Sequence, residues 1–326
     1  MKETPVYKRI AAVFAVIGLA LIASGCSNLI VLDPKGPIGE QQKDLIWFTI
    51  IISLAVLIPV WALTVFVIMR YRDKPDNKAR YKPDWEHSTK LETIWWGVPI
   101  LIIILLGVVT VRYTYALEPS KPIAAENETM TIQVASLDWK WLFIYPEQGV
   151  ASVNYVRFPV DTAVRFEITA DAPTNSFWIP QLGGQVYAMS GMTMKLNLKA
   201  DEPGKYMGSG ANFSGEYFER MRFTAEAGSQ AEFDAWVEDV KASSKPLTLA
   251  GYKQLAEPGV SDVLAFSSYP EGLFRTIVDK YSAAKKNELY EPVVPPRERD
   301  GRWSQEQLQI QQESERPESD GTSGGN

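Results

Sequence analysis

Two long apolar runs dominate the first third of the chain: 25 residues from Leu45 to Met69 and 19 from Thr93 to Val111 pass without a charged side chain. About 20 apolar residues in a helix are needed to cross the hydrocarbon of a bilayer. The pattern therefore predicts two transmembrane helices, over 45–69 and 91–112. Each holds an internal proline, Pro59 and Pro99, which a membrane helix tolerates where neighbours satisfy the freed carbonyls. The short connection at 70–90 carries Arg70, Arg72, Lys74, Lys78, Arg80, Lys82 and Lys90, and the positive-inside bias places it in the cytoplasm. Both chain ends then lie outside.

A shorter run precedes them. Lys8-Arg9, the apolar stretch Ile10–Ala23 and the small residues before Cys26 make an export signal over 1–25. The pattern is that of a bacterial lipoprotein signal, with Cys26 as the lipidated N-terminus of a periplasmic segment at 26–44. Ala23 departs from the usual leucine three before the cysteine. The other reading keeps residues 10–25 as a third span with Cys26 an ordinary thiol, although about 14 apolar residues are short for that.

Beyond Pro119 the period changes to two. Val164–Ile168, Met194–Leu198 and Met221–Ala225 alternate apolar with polar, and Pro146-Glu147-Gln148-Gly149, Gly183-Gly184 and Glu202-Pro203-Gly204 supply turns between such stretches. This predicts an all-β sandwich or barrel over 120–226. The period then lengthens again. Ser229 and Glu232 form a capping-box signature before Phe233, Trp236, Val237 and Val240, and further helices are predicted at Thr248–Ala256 and Leu273–Ala284 within a helical extension at 227–290. From 291 to 326 proline, glutamate, glutamine, serine and glycine dominate, a composition that predicts a disordered tail.

Composition narrows the chemistry. A net charge of −6 with a pI near 5.1 leaves no basic face for phosphates and sets nucleic acid aside as a partner. One cysteine and one histidine, Cys26 and His87, are the whole supply, so neither an internal disulfide nor a multi-ligand Cys/His metal site can form. No nucleophilic triad, phosphate loop or glycosidase carboxylate pair is present, so the chain alone is not an enzyme.

Three stretches carry a family resemblance: Leu91-Glu92-Thr93-Ile94-Trp95-Trp96-Gly97-Val98-Pro99, Asp138-Trp139-Lys140-Trp141 through Tyr145-Pro146, and Asn175-Ser176-Phe177-Trp178-Ile179-Pro180-Gln181-Leu182-Gly183. Together they resemble subunit II of the haem–copper oxidases, and the lipoprotein start and helical extension resemble the cytochrome o (bo-type) ubiquinol oxidase branch. The resemblance runs from about Cys26 to residue 285. It implies a two-helix transmembrane hairpin followed by a cupredoxin-like β-barrel in the periplasm, in a lipid-anchored protein of the bacterial inner membrane.

Members that accept electrons from cytochrome c carry a dinuclear copper centre held by histidine, cysteine, glutamate and methionine. Against that motif, Asn175 stands at the first histidine, Gly210 and Ser214 at the cysteines, Asn212 at the glutamate and Phe218 at the second histidine. Met221 alone remains. A thioether cannot hold two copper ions, so the resemblance implies no metal and no cofactor in this subunit. Haems and the other copper are expected in subunit I, with ubiquinol reaching subunit I through the lipid. The implied partners are subunit I, the remaining oxidase subunits and membrane lipid. The resemblance also places Glu92 near a proton-entry path; the plain alternative is an interfacial carboxylate beside Lys90. Trp139 matches a tryptophan of the electron-entry loop, and packing against subunit I is its expected role here. His87, Met189, Met192 and Met194 read as loop or packing residues. The competing function is a membrane-tethered cupredoxin-like binding or assembly lipoprotein.

Overall fold

The computed structural model describes residues 29–73, 75, 77–79, 84–124 and 128–281, with residues 13, 14 and 18. Cys26, nearly all of the signal segment and everything from 282 onward, including the end of the last predicted helix and the 291–326 tail, lie outside the described residues.

Both spans are unbroken helices, α1 (Pro37–Tyr71) and α2 (Thr89–Ala116), each continuing through its proline. They exceed the predicted bounds at both ends. In particular α1 begins at Pro37 rather than Leu45, because a proline at the first helical position lacks only an N–H that would go unused. The most apolar stretches reach mean hydropathies of 2.7 and 2.5. Large apolar groups such as Trp61 and Leu101 stand 64% and 67% exposed in the single chain. Such a surface belongs against hydrocarbon or partner helices.

The first turn of α1 is bonded to the β-domain. Lys35 N–H donates to Gln181 O (2.7 Å), Gly39 N–H to Leu182 O (3.1 Å), and Asp201 N–H to Lys35 O (2.9 Å). At Gly36 any Cβ would collide with the Lys199 carbonyl, so the close approach needs glycine.

The domain itself packs two sheets. One has six strands in the order β11-β3-β2-β1-β5-β8 and the other five in the order β4-β10-β9-β6-β7. The strands are β1 (Met130–Leu137), β2 (Lys140–Tyr145), β3 (Val150–Val153), β4 (Tyr155–Pro159), β5 (Val164–Ala170), β6 (Asn175–Trp178), β7 (Val186–Ala188), β8 (Met194–Leu198), β9 (Gly204–Gly210), β10 (Arg222–Gly228) and β11 (Leu264–Phe266). The two parallel pairings, β1 with β5 and β10 with β4, make this the predicted cupredoxin-like barrel rather than a simple meander. Ile132, Val134, Trp141, Phe143, Phe166, Phe177 and Phe223 fill the space between the sheets, with the Phe177 and Phe223 rings stacked at 5.0 Å.

The opposite face of the six-stranded sheet is also covered. Ala135, Leu137, Leu142, Ile144, Ala151 and Val153 form a second core with Leu247, Tyr252, Leu273, Phe274 and Ile277 of the extension. That explains β2, where every residue is buried: a strand covered on both faces reads as a continuous apolar run instead of an alternation. The extension comprises α3 (Gln230–Ser243), α4 (Leu249–Ala256) and α5 (Leu273–Lys280). The predicted capping box is present in both directions at Ser229 and Glu232. Two boundaries need correction. The barrel continues to Gly228, and the extension is not purely helical, since β11 pairs antiparallel with β3. A three-residue strand is too short to show a period, and here it covers a sheet edge that would otherwise be open.

Candidate functional site

The positions that the resemblance sets against copper ligands come from four separate elements, and the fold gathers most of them at one end of the barrel. Asn175 opens β6, Gly210 ends β9, Asn212 and Ser214 lie in the following loop, and Met221 precedes β10. Asn175 is fully buried. Its amide nitrogen donates to Ser214 Oγ (3.1 Å) and Met221 Sδ (3.0 Å), while its carbonyl oxygen accepts from Ser176 N–H (2.7 Å) and Asn212 N–H (3.3 Å). Gly210 N–H donates to Met221 O at 2.9 Å, and a Cβ on Gly210 would lie 2.7 Å from Asn175 Oδ1. The Asn175 carboxamide thus takes up the space that a side chain at 210 would need. Asn212 joins through its backbone. Phe218, in the short 3-10 turn Phe218–Arg220, pairs instead with the ring of Phe213 at 5.7 Å.

A carboxamide, a hydroxyl and a thioether that already bond one another make a poor donor set for copper, which calls for thiolate and imidazole. What they can do is hold a loop. Trp139, at φ +60° between β1 and β2, closes the same loop from outside. Its indole N–H donates to Ser214 O (3.1 Å), its ring meets Tyr217 edge-on at 5.1 Å, and Gly215 at φ +109° leaves it room. Within the chain Trp139 packs against the 214–217 loop, a contact that the expectation of packing against subunit I did not include.

Glu92 lies in the first turn of α2, remote from this cluster in sequence and across the span from it. Its carboxylate is 2.6 Å from His87 Nδ1. His87 is a 70% exposed loop side chain, as expected, but it, rather than Lys90, is the partner of Glu92. A carboxylate in a first turn also suits the positive end of the helix.

Sequence reasoning missed a third locus. Asp171, its side chain 1% exposed, directly follows β5 and accepts from Tyr252 Oη (2.6 Å), Lys280 Nζ (2.6 Å) and Tyr281 Oη (2.7 Å). Burial and then the bond to Asp171 push the Tyr252 and Tyr281 hydroxyl pKa values up. For Lys280, burial works downward but the bonds to Asp171 and Tyr281 outweigh it, and its pKa rises. Lys140, almost fully buried, adds a second pin by donating to Glu257 O (2.7 Å) at the C-terminus of α4, where a cation satisfies an open carbonyl. Burial lowers its pKa. An aspartate before Ala172-Pro173 reads as a turn residue, and no local signal ties it to side chains 81 to 110 positions away.

Residues 26–112 match the family described as "Cytochrome C oxidase subunit II, transmembrane domain", and residues 241–285 match "COX Aromatic Rich Motif". The chain is 47% identical over 281 residues to cytochrome bo(3) ubiquinol oxidase subunit 2 of Pseudomonas putida, covering 86% of this chain and 88% of that protein. It is 48% identical over 265 residues to ubiquinol oxidase subunit 2 of Acetobacter aceti, covering 81% and 86%. Among solved structures, the periplasmic domain of subunit II of cytochrome oxidase from Bradyrhizobium japonicum aligns with 37% of this chain and 96% of that one, at 24% identity and a TM-score of 0.34. With close to half the residues identical across spans, barrel and extension, the chain belongs to the ubiquinol oxidase subunit 2 family.

Proposed function

We propose that this protein is subunit II of a proton-pumping terminal ubiquinol oxidase in an aerobic respiratory chain, serving structure and assembly rather than electron entry. The observation that carries the reading is the 47% identity over 281 residues to a ubiquinol oxidase subunit 2, joined to a donor set in which Asn175, Ser214 and Met221 bond one another. Without thiolate or imidazole at that end of the barrel, a water-soluble electron donor gains no relay here. The electrons would come from ubiquinol dissolved in the lipid, and haems and copper would reside in subunit I. The isolated chain would have no active site, and its exposed spans would pack against subunit I and its neighbours. Cys26 would carry the lipid anchor. Glu92 would take protons at the cytoplasmic surface toward subunit I, where an ionisable group at the end of a membrane helix is a functional candidate.

The test is to purify the protein from its native membrane in mild detergent, record a reduced-minus-oxidised spectrum, and follow oxygen uptake with ubiquinol and with reduced cytochrome c. Haem bands with uptake driven by quinol alone are expected. A haem-free, inactive preparation would instead favour a membrane-tethered binding or assembly lipoprotein.

A further inference from the structure

Where the two spans meet the β-domain there is a recess of about 180 Å³. Ile38 and Gln42 of α1, Leu117, Glu118 and Lys121 beyond α2, and Leu196 of β8 contribute to its wall. Its height above the membrane follows from the helices. At about 1.5 Å per residue, Gln42 stands about 4–5 Å above Leu45 and Ala116 about 7–8 Å above Val111. The polar layer on each side of a bilayer is about 5–8 Å thick. The recess therefore opens at headgroup depth, on the side of the membrane that carries the β-domain.

Its chemistry is two-signed. Glu118 and Lys121 supply a carboxylate and an ammonium on one rim, the former also accepting from Ser120 Oγ at 2.7 Å. The Gln42 amide nitrogen lies against Gly184, where a Cβ would come within 2.8 Å of it. No hydrogen-bond partner for that amide lies among the described residues. Gln41 and Asn197 also line the recess, their amides donating to Pro37 O and Pro119 O, and Ile38, Leu117 and Leu196 give it an apolar floor.

We propose that the recess binds the headgroup of a zwitterionic glycerophospholipid of the phosphatidylethanolamine type. The phosphate is taken by Lys121 and the Gln42 amide, the ammonium by Glu118, and the glycerol end rests on Ile38, Leu117 and Leu196. Charge complementarity selects this occupant. An anionic headgroup without an amine leaves Glu118 facing a like charge, a neutral quinol uses neither ion, and free phosphate uses none of the apolar wall. The site is also smaller than the roughly 300–1,000 Å³ pocket of a drug-sized ligand, which suits a headgroup whose chains remain in the bilayer. The inference depends on the two spans and the barrel, not on the oxidase reading.

The experiment reconstitutes the full chain, together with any subunits that co-purify with it, into vesicles of phosphatidylethanolamine that carries a diazirine near the glycerol, followed by illumination and peptide mapping. Labelling of 37–42 and 117–123 is expected, falling about tenfold in a Gln42→Leu, Lys121→Glu double variant, as loss of charge-assisted hydrogen bonds implies. Lys121→Arg should retain it, and labelling along the hydrocarbon faces of α1 and α2 should be unchanged in every variant. Equal labelling by a phosphatidylglycerol probe would overturn the assignment, as would suppression by excess inorganic phosphate, no labelling beneath a covering subunit, or undiminished labelling in the double variant.

Discussion

Asn175 has its carboxamide engaged by four groups while fully buried, so replacing it by alanine leaves the Ser176 and Asn212 N–H groups without an acceptor. A buried donor stripped of its partner costs about 1–3 kcal/mol. Asn175→Ala is therefore expected to destabilise the barrel by about 2–4 kcal/mol, seen as a lower thermal midpoint of tryptophan fluorescence in the detergent-solubilised protein. Asn212→Ala should stay within about 0.5 kcal/mol, because only the Asn212 backbone joins the cluster; an equal loss in both variants would contradict the assignment. Glu92 allows a separate test. Glu92→Gln keeps the shape of the side chain but cannot carry a proton, so quinol-driven turnover should slow, while Glu92→Asp should retain most of it. Unchanged turnover in the glutamine variant would leave Glu92 as a helix-end carboxylate bonded to His87.

The C-terminal extension is held by a buried apolar face and by the polar anchor at Asp171. Without Asp171 the buried Tyr252 hydroxyl loses its acceptor at a cost of about 1–3 kcal/mol, while the half-exposed Lys280 turns to solvent, so Asp171→Ala should loosen α4 and α5 before the barrel unfolds, raising hydrogen exchange over 247–281 selectively. Exchange confined to wild-type levels there would show that the apolar face suffices. The anchor also has a pH dependence of definite sign. Tyr252, Tyr281 and Lys280 all have pKa values raised above their ordinary values of 10.0, 10.0 and 10.5. When a group holds its proton more tightly in the folded state, its contribution is complete below the unfolded value and is lost as pH rises through the folded one. The contribution of these three groups to docking is thus expected to hold through the neutral range up to about pH 10 and to weaken above it. The same exchange measurement in mild alkali tests this, and loosening first in the neutral range would refute it.

Taken as a whole, the protein is a membrane hairpin bonded directly to a doubly covered barrel, since Lys35 and Gly39 of the α1 entry bond to the 181–182 turn. Motions of the spans and barrel are therefore linked without a long tether. The extension completes the barrel instead of reaching away from it, which leaves the spans and the membrane-side surface for partner subunits. Among the described residues the last bonded side chain of the extension is Tyr281, and the composition of 291–326 predicts a disordered tail, which makes deletion of residues 286–326 a direct test. Assembly of the oxidase should survive that deletion, and loss of haem on purification of the truncated form would show otherwise.

Much of this was legible from one sequence, because hydrophobic period and length report local geometry directly. The two spans, the basic loop between them, the alternating strands and the capped α3 all follow from patterns within about twenty residues. That the stretch from Asn175 to Met221 holds no cysteine and no histidine is read directly from the sequence. Long-range contacts carry no such local signature. That Asn175 turns its amide onto Ser214 and Met221, that Glu92 pairs with His87, and that Leu264–Phe266 becomes an edge strand depended on the folded arrangement. The same holds for Asp171, whose polar partners come from 81 to 110 residues downstream. Burial on both faces of a sheet and satisfaction of a buried carboxylate are properties of packing, and packing exists only once distant segments have met.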